Sequence, residues 1–266
     1  MTSAVFDLYN RPADVDLTWE RRERYSRVDT EVVRVLLAEH LPGAPAEVAD
    51  VGGGNGYLAF HLTAQGYRVS LSDFVPALVA DARRRDAAGA LADIRVADAR
   101  DLPYPNSSAD AVLLFGPLYG LAELADRAAA LTEAHRILRP GGVLVTETLT
   151  KAAGLRGLIE RDVSALARVD LDRFLATGVF VGPDLPRFYR GHVCADPDDT
   201  TAELRAAGFT VADVVAVDLP HPDRQRLVAE AGPDVVAGWT RLVLAVGRDP
   251  RYWATANHVV HVARRL

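Results

Sequence analysis

Val48-Ala49-Asp50-Val51-Gly52-Gly53-Gly54-Asn55-Gly56 decides how the rest of the chain is read. A short apolar run ends in a glycine cluster, and a helical pattern from about Tyr57 to Gln65, stopped by Gly66, follows it. A strand–turn–helix with this many glycines serves a backbone that must visit angles a Cβ disfavours and that a ligand must approach closely. Gly54-Asn55-Gly56-Tyr57-Leu58-Ala59 satisfies the dinucleotide pattern G-x-G-x-x-G/A, and Asp73 lies where a ribose-binding acid is expected. By itself the turn therefore admits either NAD or S-adenosylmethionine.

Working outward, the same alternation repeats. Arg68 to Ser72 reads as a strand closed by Asp73, and Pro76 opens a helix at the position where proline is tolerated. Ile94-Arg95-Val96 is a third strand ending at Asp98, and Ala111 to Phe115 a fourth, apolar throughout as for a strand covered on both faces. A helix from about Leu121 to Leu138 and the break Pro140-Gly141-Gly142 lead to a fifth strand, Val143 to Thr148. Toward the N-terminus, Trp19 to Leu41 has helical spacing through Tyr25, Val28, Val32, Val35 and Leu36. Toward the C-terminus, a helix to Ala207, a strand from Phe209 to Asp218, helical residues 222–247 and a last strand from His258 to Ala263 restore the pattern. Such alternation means a doubly wound, Rossmann-like α/β fold with a mostly parallel sheet, whose ligands bind outside the carboxyl ends of the strands. We divide the chain into an N-terminal helical lid (1–45), a cofactor-binding core (46–150), a helical insertion over the acceptor (151–200) and the remainder of the core sheet (201–266).

Composition narrows the function. With 49% hydrophobic and 25% charged residues, a core can form. The net charge of −6 repels phosphate backbones and argues against nucleic acid. A single cysteine, Cys194, excludes an intramolecular disulfide and a cysteine-based zinc site, and no His/acid group has metal-ligand spacing, so metal-free chemistry is expected. No signal peptide and no apolar run of membrane-spanning length is visible, which points to a cytoplasmic protein without membrane association.

Asp50, two residues before Gly52, breaks the tie at the glycine turn. An acid is unfavourable beside a pyrophosphate and favourable beside a sulfonium and an ammonium. With D-x-G-x-G-x-G established over Asp50, Gly52, Gly54 and Gly56, the chain resembles the class I S-adenosylmethionine-dependent methyltransferases over most of its length. The resemblance implies a seven-stranded sheet, ribose binding by Asp73 with Phe74 beside it, and an adenine contact from Asp98 and Ala99. His135-Arg136-Ile137-Leu138-Arg139-Pro140-Gly141-Gly142 is a frequent feature of the family before the fifth strand. Gly116-Pro117-Leu118-Tyr119-Gly120-Leu121 is similar to the G-P-L-Y-H-L segment of a bacterial subgroup, with Gly120 where that subgroup has histidine.

The implied activity is metal-independent methyl transfer from S-adenosylmethionine to O, N or C of a small molecule, in the manner of specialised metabolism. Rival readings are an NAD(P)-dependent oxidoreductase and a non-catalytic S-adenosylmethionine-binding protein; a homodimer is compatible with each. Cofactor contacts are expected from Tyr25 and Phe115 in addition to the residues above, although Tyr25 shares helical spacing with Val28 and Val32 as a core residue does. Tyr119, Glu147 and His192 are the expected catalytic groups, with Tyr9, Trp19, Tyr189 and Arg190 as further acceptor contacts. Of the histidines, His192 is preferred; His221 before Pro222 reads as a turn residue and His258 as packed in the last strand.

Overall fold

The computed structural model describes Tyr9, residues 12–186, Tyr189 and residues 191–266. Seven strands form one sheet in the order β3-β2-β1-β4-β5-β7-β6. β1 (Glu47–Val51), β2 (Arg68–Asp73), β3 (Asp93–Val96), β4 (Ala109–Leu114) and β5 (Leu138–Leu149) run parallel. β7 (His258–Arg265) is antiparallel to both neighbours, β5 and β6 (Phe209–Ala216). The strand order reverses between β1 and β4, which makes the crevice at their carboxyl ends the place for a ligand.

Two apolar layers sandwich this sheet. On one face, α2 (Arg27–His40) presents Val28, Val32, Val33, Leu36 and Leu37 to Val48, Leu113 and Val145. On the other, α6 (Leu124–Ile137) buries Ala130, Leu131, Ala134 and Ile137 against Val112, Leu114 and Leu144. The helices between them in the chain are α3 (Tyr57–Ala64), α4 (Pro76–Arg85) and the short α5 (Pro117–Gly120). The continuous apolar run of β4 is thereby explained, since Val112, Leu113 and Leu114 have no exposed surface.

Three sequence expectations are refined. The single N-terminal helix is interrupted: α1 (Pro12–Glu20) continues through a π-helical turn, Arg21–Tyr25, before α2 begins. The fifth strand starts earlier than expected, because Leu138 pairs with Ala109 and a register shift accommodates the Pro-Gly-Gly segment. Residues 151–200 contain α7 (Lys151–Asp162), a 3₁₀ turn and α8 (Leu171–Thr177), with a core of their own. That core stacks Phe174 on Phe180 and closes over Tyr189 and Cys194, and its backbone joins α5 through the Val193 N–H donating to Tyr119 O. α9 (Pro197–Ala206), α10 (Arg224–Glu230) and α11 (Pro233–Val246) complete the layers.

Candidate active site

Strand β1 delivers the glycine turn directly into the crevice. Gly52 has φ +71 and Gly54 φ +60, conformations that strain any residue with a Cβ. Space constrains Gly52 further: a Cβ there would stand 2.5 Å from Pro117 Cδ. At Gly54 nothing lies within 4 Å of such an atom, so this face of the turn is open to a ligand.

Two buried carboxylates flank the turn. Asp73 Oδ2 accepts the Gly54 N–H at 2.9 Å and its Oδ1 accepts the Val75 N–H at 2.8 Å. Burial pushes its pKa up to about 6, against the pull of these two hydrogen bonds. Asp50 is raised to about 7, first by burial and then by repulsion from Asp73, with Arg22 opposing. Asp50 Oδ2 is sealed from water and has no hydrogen-bond partner among the described residues. An unsatisfied buried acid is costly unless something cationic completes it. Asn55, which the sequence reading did not single out, ties the turn to the N-terminal lid by donating to Val15 O at 3.3 Å and to Asp81 Oδ2 at 3.1 Å.

A cavity of about 270 Å³ extends from this turn. Asp50, Gly52, Gly54, Asp73 and Phe115 border it, and so do Tyr119, Glu147, Asp29 and His258. The N-terminal segment roofs it through Tyr9, Thr18, Arg21 and Arg22. Five of the ten expected cofactor contacts thus meet in one place, with two of the three expected catalytic groups.

The others fall elsewhere. Gly56 caps the start of α3 in a left-handed conformation, and a Cβ on it would press on Phe60. Tyr25 lies under the Arg24 guanidinium, and Phe74 does not border the cavity. Asp98 is clamped by Arg100 at 2.6 Å, whose other side reaches Asp126 at 2.9 Å, and Ala99 packs into the lower apolar layer. Trp19 packs edge-on against Tyr57 and under Arg85. Tyr189 is buried in the core of the insertion beside Arg161, and Arg190 lies outside the described residues. None of the described residues between 151 and 200 borders the cavity; the insertion backs Tyr119 from behind.

The two histidines lie differently from the sequence expectation. His192 is 2% exposed, and its ring stacks on Tyr119 at 6.0 Å, outside the cavity. His258, read from sequence as a packed strand residue, opens into it. Its Nδ1 stands 3.5 Å from Asp218 Oδ2, longer than a formed hydrogen bond, while Asp218 Oδ1 accepts the Asn257 N–H at 2.7 Å. Burial disfavours the charged ring, yet Glu147 and Asp218 outweigh it and raise the His258 pKa above its ordinary value. Tyr119 is driven well above the usual tyrosine range by burial and then by Tyr9 and Glu147, so its phenol remains a hydrogen-bond donor rather than a base. Asp29, Asp218 and His258 bring ligand atoms within 4.8 Å of one another. Residue spacing hid this group, because its members come from α2, from the loop after β6 and from β7. Its cationic partner in the structure is Arg224, which forms an ion pair with Asp29; burial lowers the Arg224 pKa to about 10, still charged at neutral pH.

Residues 49–146 match a methyltransferase domain family. The chain is 36% identical to a demethylmenaquinone methyltransferase of Thermus thermophilus over 212 residues, which is 77% of this chain and 88% of that relative. The chain belongs to the class I S-adenosylmethionine-dependent methyltransferases. A second demethylmenaquinone methyltransferase, from Deinococcus radiodurans, is 38% identical over 138 residues, covering 50% of this chain and only 56% of its own length. In fold, the methyltransferase is similar to an S-adenosylmethionine-dependent methyltransferase from Methanosarcina mazei, with a TM-score of 0.60 at 17% identity over 87% and 97% of the two chains.

Its cofactor is S-adenosylmethionine, and the oxidoreductase reading is set aside. The residues present fit that cofactor: the unpartnered Asp50 oxygen suits its positive charge, and the open face at Gly54 beside Asp73 suits its ribose. No helix among the described residues is long and apolar enough to cross a membrane.

A titration test follows from the two raised acids. A cationic ligand favours ionised carboxylates, so cofactor binding should weaken as pH falls below about 7, by up to ~10-fold per pH unit for each proton that must leave. Calorimetry at pH 6 in two buffers of different ionisation enthalpy should detect proton release on binding S-adenosylmethionine. Equal heats in both buffers and a pH-independent dissociation constant would refute this assignment of Asp50 and Asp73.

Proposed function

We propose that this methyltransferase acts on a hydroxyl-bearing aromatic or enolic small molecule, with His258 as general base. The observation carrying the reading is the pair His258–Asp218, which opens on the same cavity as the glycine turn. The relatives named for demethylmenaquinone support a quinone-type ring, whose reduced form carries such hydroxyls.

The cofactor, when bound, supplies a methyl group made electrophilic by its sulfonium. The chain's own contribution is to generate and aim the nucleophile. His258 Nε2, on the side of the ring away from Asp218, takes the acceptor's hydroxyl proton, and Asp218 orients the ring and stabilises the resulting imidazolium. Tyr119, held protonated, donates to the acceptor oxygen and keeps its lone pairs directed. Glu147 favours the charged imidazole and thus strengthens the base. Holding acceptor and methyl donor in line within one cavity supplies much of the rate. The N-terminal lid excludes water, as Tyr9, Thr18, Arg21 and Arg22 roof the space.

The test is turnover on matched acceptors, followed by S-adenosylhomocysteine formation. 1,4-Naphthohydroquinone should be methylated and its dimethyl ether should not. Turnover on primary amines with none on hydroxylated rings would refute the proposal.

A further inference from the structure

Beside the reaction cavity lies a second, larger space of about 770 Å³, between α2 and α11. Arg22 and Tyr57 border both spaces, so the two adjoin at these side chains. The reaction cavity, at about 270 Å³, sits just below the usual range of ligand pockets, roughly 300–1,000 Å³, before any acceptor larger than one ring is considered. An acceptor with a substantial non-reacting part therefore has an adjoining place to put it.

The lining states what that part should be. Val35, Val236, Ala237 and Leu244 give apolar walls, and the charged groups are Arg22, Arg27 and Arg241 against Glu23 and Glu31. Glu31 is already held by Arg34 at 2.6 Å, and Arg27 is turned onto the backbone oxygen of Ala231 at 2.9 Å. Among the described residues Arg22 and Arg241 have no ion-pair partner, although the chain as a whole is acidic. Arg22 also projects its charge toward Asp50, Tyr119 and His258, which puts it at the boundary between the two spaces. Unpaired guanidinium groups facing a partly apolar groove recognise planar or tetrahedral oxyanions.

We propose that the groove between α2 and α11 is a second acceptor subsite, which holds an anionic group (carboxylate, sulfonate or phosphate) on the non-reacting part of the acceptor, paired with Arg22 and Arg241. This rests on the methyl-transfer reading above and adds the substrate's charge and extent.

The probe is 8-anilinonaphthalene-1-sulfonate, an aromatic sulfonate, titrated by its fluorescence with saturating S-adenosylhomocysteine present; neutral N-phenyl-1-naphthylamine is the control. The sulfonate should bind at least ~10-fold more tightly than the neutral dye. Arg241→Gln should weaken it by about 3- to 5-fold, as for a partly exposed ion pair. Ala237→Trp, which fills the groove from an exposed position on α11, should weaken it by ~10-fold or more. Both variants should keep the melting-temperature rise given by S-adenosylhomocysteine, which shows that they fold and bind cofactor. Equal affinity for the two dyes, or unchanged binding in Ala237→Trp, would each overturn the subsite. Failure of the cofactor reading would appear separately, as no melting-temperature rise in the wild type.

Discussion

His258→Ala is expected to lower kcat by about 10²- to 10⁴-fold, the range for loss of a positioned general base, while leaving S-adenosylhomocysteine affinity within about 2-fold. The split follows from the proposed roles: His258 is assigned to the acceptor's proton, while the glycine turn and Asp73, which border the same cavity, are assigned to the cofactor. The pH profile adds a signature that a structural role would not give. The base works as the neutral ring, so the rate falls as pH drops through the His258 pKa, which lies above the ordinary histidine value. Removing the negative charge in Asp218→Asn weakens the pull that raises this pKa, and the acidic limb should move to lower pH as kcat falls. Steady-state rates from pH 5 to 9 decide the matter. An unshifted limb in Asp218→Asn, or near-normal kcat in His258→Ala, would remove His258 from the chemistry.

Asp73→Ala is expected to raise the dissociation constant for S-adenosylhomocysteine by about 10²-fold or more. Hydrogen bonds to a charged group contribute roughly 1.5–3 kcal/mol each, and the family resemblance implies two ribose hydroxyls as donors to this carboxylate. The loss is compounded because Asp73 also accepts the Gly54 and Val75 N–H groups, and so holds the glycine turn in its open shape. Asp73→Asn separates the two contributions: its amide oxygen can accept one backbone N–H but carries no charge. It should keep the melting temperature closer to wild type than Asp73→Ala while still losing most of the affinity. Calorimetric titration of the three proteins is the check, and a change below about 3-fold in Asp73→Ala would disprove ribose binding at this position.

The methyltransferase core could be read from residues 48–149 almost strand by strand, because local rules set it. The apolar run of β4 marks burial on both faces, Pro76 marks a helix start, and the Gly52–Gly56 turn needs backbone angles that little else tolerates. Asp50 and Asp73 were legible for the same reason, since they sit two residues before and one strand after that turn. The π-helical turn at Arg21–Tyr25 was not, for it interrupts a helix without a proline or glycine to announce it.

What the sequence determined by itself was therefore the local frame: one continuous stretch of chain builds the glycine turn, the acid before it and the acid after the next strand. Only the tertiary structure decided which other side chains share the cavity with that turn. Asp29, the 218–224 segment and His258 are far apart in the chain, and His258 reaches this group because β7 inserts antiparallel between β5 and β6, which brings the start of β7 to the carboxyl end of β5. In sequence His192 is the expected catalytic histidine and Tyr189 a further acceptor contact, but the insertion folds its aromatics into its own core, where burial against Phe174 and Phe180 sequesters Tyr189 from the cavity. Periodicity reports which face of an element is apolar; it does not report which strand end an antiparallel partner will deliver to the crevice.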